Sequence, residues 1–82
     1  MADQQIARIV IKASVETSAE IGFEPLGTSF VLTGDDYLVL EVAPELVDRL
    51  EFAWFPNGLA VWAPYPEPYT VRNSAGEVVH EN

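Results

Sequence analysis

The chain has 82 residues, with 13 acidic and four basic side chains, a net charge of −9 at pH 7, and no cysteine. That length allows one domain, residues 1–82, whose core removes only about 60–65% of the unfolded surface from water, and neither a disulfide nor a thiolate metal site can supplement it. The scarcity of Lys and Arg argues against nonspecific nucleic-acid binding and attraction to an anionic membrane, both of which need cations; the acidity serves solubility first and also suits a basic protein partner.

At 49% hydrophobic residues the chain is too apolar to be disordered. Its opening, Met1-Ala2-Asp3-Gln4-Gln5, is polar and is followed by only a few apolar residues. No apolar run approaches the roughly 20 residues that span a bilayer, so a cytoplasmic protein is expected. Ile6 to Val15 reads as a strand, with Ala7, Ile9, Ile11, Ala13 and Val15 on one face and Arg8, Lys12 and Ser14 on the other. The β-branched run Ile9-Val10-Ile11 disfavours the alternative, a helix capped by Asp3. Glu16 to Gly27 is weakly patterned. On a helix Glu16, Glu20 and Glu24 would repel one another, and Gly22 and Pro25 oppose it further. A loop is expected there, with at most a short strand around Ile21-Phe23.

Thr28 to Thr33 and Tyr37 to Val42 flank Gly34-Asp35-Asp36, which reads as a hairpin. Leu38, Leu40 and Val42 should be its core face. Pro44 suits the first position of a helix, so one short helix of about two turns is expected near 44–50. It would carry an apolar stripe of Leu46, Val47 and Leu50 and an acidic stripe of Glu45, Asp48 and Glu51.

Residues 51–63 hold both tryptophans around Pro56-Asn57-Gly58. Two registers are open: a two-residue Asn57-Gly58 loop, or a three-residue Pro56-Asn57-Gly58 turn closed by a glycine bulge. The second is preferred, because the first gives Pro56 a closing pair for which it has no N–H. It sets Phe55 opposite Leu59 and Phe52 opposite Trp62, so that Phe52, Trp54 and Trp62 share a face. Pro64-Tyr65-Pro66-Glu67-Pro68-Tyr69 then forbids helix and central strand and should run extended over the surface, presenting two tyrosines. Tyr69 to Asn73 and Glu77 to His80 form a last hairpin about Ser74-Ala75-Gly76. The sum is a mainly β domain: a small, mainly antiparallel sandwich or partly open barrel of about six or seven short strands with one short helix near 44–50.

Catalytic equipment is not legible. The chain's one histidine, His80, lies near the C-terminus, where fraying is common, and no serine sits in a nucleophile elbow. Asp35 and Asp36 at a turn tip lack the cleft that paired carboxylates need, and Asp35-Asp36 with Glu24 or Glu41 has no EF-hand spacing for calcium. No metal, cofactor or enzymatic activity is expected. The expected function is a small acidic interaction module (inhibitor, immunity-type or adaptor protein) that docks on a larger, basic protein. Asp35, Asp36, Glu41, Glu45, Asp48 and Glu51 would form its charged rim, and Trp54, Trp62, Tyr65 and Tyr69 its aromatic anchors. The alternative is a β-domain that stacks a sugar or apolar small molecule on those four aromatic rings. A homodimer is a natural supplement to so small a core.

Overall fold

The computed structural model describes residues 5–13 and 15–82 of the chain. Eight strands form two four-stranded sheets packed face to face. The first sheet has the order β1-β4-β7-β8, from β1 (Ala7–Lys12), β4 (Tyr37–Val42), β7 (Thr70–Asn73) and β8 (Val78–Glu81). The second has the order β3-β2-β6-β5, from β3 (Thr28–Gly34), β2 (Val15–Glu24), β6 (Gly58–Trp62) and β5 (Glu51–Phe55). The mainly β sandwich expected from the pattern is therefore present, with eight strands among the described residues where about six or seven are expected. All pairings are antiparallel except β2 with β6, which run parallel.

The core lies between the sheets. Ile11, Leu38, Leu40, Val42 and Val71 face it from one side, and Ile21, Phe23, Leu32, Leu59 and Val61 from the other. Each such side chain contributes about 1.5–3 kcal/mol when taken from water. Phe23 links the layers, with its ring centroid 6.0 Å from that of Phe30 and 6.0 Å from that of His80.

Several elements depart from the sequence reading, each for a physical reason. The first strand ends at Lys12, and Val15 already belongs to β2; Ser14 lies outside the described residues. The stretch read as a loop, 16–27, is mostly β2, which pairs with both β3 and β6. Glutamates four apart repel on a helix, but in a strand an even spacing puts them on one face. Glu20 and Glu24 point outward while Ile21 and Phe23 are buried.

Gly34-Asp35-Asp36 does not close a hairpin: β3 and β4 belong to different sheets, and the turn carries the chain between them. The expected core face of Leu38, Leu40 and Val42 is buried. The helix near 44–50 is a 3-10 helix, Pro44–Arg49, held by Leu46 N–H donating to the Ala43 carbonyl (2.9 Å). Residues three apart eclipse in this geometry, so Glu45 and Asp48 stack on one side. Glu51 is not part of that stripe, because it opens β5.

The central hairpin forms, in a third register. Phe55 pairs with Gly58, so the loop is Pro56-Asn57 alone. Proline keeps the first turn position and stays out of the closing pair. Gly58 serves a close approach rather than a left-handed turn: a Cβ there would overlap the Glu20 carbonyl oxygen and lie 2.7 Å from its carbon. The last hairpin matches expectation. Asn73 Oδ1 accepts the N–H groups of Ala75 (3.0 Å) and Glu77 (2.9 Å), and Gly76 takes φ of 85°. His80 is not frayed: it sits in β8 opposite Val71. No helix among the described residues is long and apolar enough to cross a membrane.

Candidate functional site

The register of β2, β6 and β5 organises the outward face of the second sheet into rows. Glu20, Gly22 and Glu24 of β2 lie beside Gly58, Ala60 and Trp62 of β6, which lie beside Phe55, Ala53 and Glu51 of β5. One row is thus Glu24, Trp62 and Glu51. The next is Gly22, Ala60 and Ala53, a shelf of small residues. Neighbours within a row have Cβ atoms about 4.5–5.5 Å apart, so Glu24 and Glu51 flank Trp62 from either side. The Glu24 carboxylate lies back over Gly22, its Oε2 3.8 Å from where a glycine Cβ would stand. Trp62 is 45% exposed.

Charge is segregated between the sheets. Lys and Arg do not occur between Lys12 and Arg49 or between Arg49 and Arg72, so no strand of the second sheet contains a base. Arg8, Lys12 and Arg72, three of the four bases, alternate onto the outward side of the first sheet with Val10 and Val39. There Glu41 is 7% exposed and clamped between two guanidinium groups, with Arg8 Nε and Arg72 Nε each 3.0 Å from one of its oxygens.

Few of the sequence-predicted site residues come together. Glu51 and Trp62 are cross-strand partners. Glu45 and Asp48 are exposed on the 3-10 helix that leads into β5, and Tyr65 is exposed in the crossover from β6 to β7. Asp35 is exposed at the turn tip. Asp36 is held by the fold: its Oδ1 accepts the Tyr37 N–H at 2.9 Å and the Ser74 hydroxyl at 2.8 Å. Glu41 is spent on the arginine clamp. Tyr69 is not presented at all. It is 2% exposed, and its hydroxyl shares a 2.8 Å hydrogen bond with His80 Nε2. Burial pushes its phenol pKa up from the ordinary value.

The four-ring platform does not form. Trp54 pairs with Leu59, a core-facing residue, whereas Trp62 alternates to the opposite side. The one-residue slip in register moved Trp62 away from Phe52 and Trp54. Sequence reasoning missed Glu24 as a neighbour of Trp62. The signal was the alternation of Glu20, Gly22 and Glu24 against Ala19, Ile21 and Phe23.

An open cleft of about 650 Å³ lies where the residues just before β1, the end of β4, the 3-10 helix and Pro68 meet, lined by Ile6, Leu46, Glu41 and Glu45. Among the described residues no group of three or more His, Asp or Glu is gathered as a metal site. Compared with protein-family models, with curated proteins and with solved structures, the chain matches none.

Proposed function

We propose that this chain is a non-catalytic interaction module that docks the outward face of its second sheet on a basic surface of a larger protein. The observation that carries the reading is Trp62 between Glu24 and Glu51, on a sheet that contains no base. An indole face flanked by carboxylates suits a Lys or Arg side chain, which gains both charge pairing and attraction to the ring. The small residues Ala60 and Ala53 beside it let a flat surface approach, next to the Glu24 carboxylate that lies over Gly22. Glu45 and Asp48 extend the negative field and speed encounter. An inhibitor, immunity-type protein or adaptor acting in the cytoplasm fits this description.

The test is affinity capture from the native host with three baits: the natural chain, Trp62→Ala, and the double variant Glu24→Lys, Glu51→Lys. Trp62 is part-exposed and both acids face outward, so the variants should keep the natural circular-dichroism spectrum. The expected outcome is a basic protein retained by the natural bait and lost from both variants. A captured partner that binds all three baits equally would place its contact elsewhere and sink the proposal.

A further inference from the structure

We infer that β5 pairs with β5 of a second copy of this chain, antiparallel about a two-fold axis at Ala53, so that two four-stranded sheets become one of eight. This goes beyond the docking face and does not depend on it. Phe52 and Trp54 lie on the other side of the strand from Glu51 and Trp62.

The hydrogen bonds of β6 show which backbone groups of β5 are free. Glu20 N–H donates to the Asn57 carbonyl at 2.8 Å, and Ala63 N–H donates to the Glu24 carbonyl at 2.9 Å. Residues 57, 59, 61 and 63 therefore turn their peptide groups to β2, and 58, 60 and 62 turn theirs to β5. By the same alternation Glu51, Ala53 and Phe55 bond to β6. Phe52 and Trp54 are left directing both N–H and C=O to the open edge. Pairing about Ala53 sets Phe52 opposite Trp54 of the second copy, and the free groups are then those that meet, giving two bonds on each side of the axis. Ala53 meets its own copy at the non-bonded position, where Cα atoms approach to about 4.5 Å and a small side chain fits.

The side chains agree with the backbone. Phe52 and Trp54 lie on the core-facing side of the sheet yet are 47% and 84% exposed, because the opposite sheet does not cover β5. The two-fold axis stacks each ring of this pair against the other from the second copy, making two cross-strand aromatic pairs. Two of the other edges are guarded: β1 carries Arg8 and Lys12, and β8 has an irregular register with β7. The edge of β3 also lacks charge and proline, but its core-facing Leu32 is buried, so it offers no exposed aromatic pair to stack. Residues 52–55 carry no charge, proline or bulge, the usual guards of an open edge.

Area and charge set the strength. The exposed parts of the two aromatic side chains supply roughly 200–330 Å² per copy. That is short of the about 800 Å² per partner of a standard interface, so the dimer is reversible. The two Glu51 residues end up about 13 Å apart along the strands, beyond the Debye length of about 8 Å at physiological salt. The overall repulsion between two copies of charge −9 is relieved by salt, so salt strengthens the pairing.

Sedimentation equilibrium and amide hydrogen exchange test it on the intact chain. The expected results are a mass rising from 9.1 kDa toward twice that with concentration and with salt, and protection at Phe52 and Trp54 amides that rises in step. Trp54→Lys should weaken association by at least about tenfold. Val31→Lys, on the edge of β3, should leave it unchanged, and both should melt like the natural chain. A monomer up to about 1 mM in about 0.5 M salt overturns the inference. So does a dimer that survives Trp54→Lys, or one in which the 52 and 54 amides stay unprotected. Protection of those amides only when a host protein binds would mean that the edge takes a foreign strand instead.

Discussion

Gly58 shows how much one missing carbon decides. The hairpin would accept any residue at its closing position, but β2 passes so close that a methyl there overlaps the Glu20 peptide. Gly58→Ala is therefore expected to destabilise the chain by about 3 kcal/mol or more, as a backbone overlap with no flexible side chain to move aside. Denaturant titration measures it, and a loss under about 1 kcal/mol would mean that the β2–β6 pairing relaxes freely. Tyr69 is the second decisive residue. Its buried phenol holds its proton more tightly in the folded chain than in the unfolded one. The unfolded chain then releases the proton first, so stability falls as pH rises from about 10 through the folded pKa. Melting temperatures across that range should drop for the natural chain and drop less for Tyr69→Phe. At neutral pH the same variant should cost about 1 kcal/mol for the lost bond to His80.

At the scale of elements, what was legible in the sequence depended on whether a signal was local. The alternation in residues 7–12 and 37–42, the asparagine–glycine turn at 73–76 and the proline start at Pro44 all act within a few residues, and all appear in the structure. Three features depend on partners far along the chain, and these were not legible. Strand β2 looks like a loop until β6 supplies its second neighbour. The turn at 34–36 looks like a hairpin because nothing local says that its two strands enter different sheets. The register of the central hairpin agrees both with proline at the first turn position and with the close approach of β2 to Gly58, and only the first of these is local. The candidate site inherited these errors. Trp62 and Glu51 are exposed and paired across β5 and β6, yet their neighbour Glu24 and their separation from Trp54 both follow from β2 and that register.

For the whole molecule, the division of charge matters more than its sum. The outward face of the first sheet sets Arg8 and Arg72 around the single carboxylate of Glu41, while no strand of the second sheet contains a base. The molecule therefore has a directional field as well as a net charge, and orientation on approach follows from it.

The parallel seam between β2 and β6 also has a consequence in time. It joins residues 20–24 to 58–62, and it alone links the hairpins β2–β3 and β5–β6 within their sheet. Short loops close early and distant pairings late, so the two hairpins should nucleate separately and the seam should zip last. Because Gly58→Ala injures the seam and spares its hairpin, its effect should fall on the unfolding rate and leave the refolding rate nearly untouched in stopped-flow traces. A refolding limb that slows in proportion to the lost stability would reverse that order of assembly.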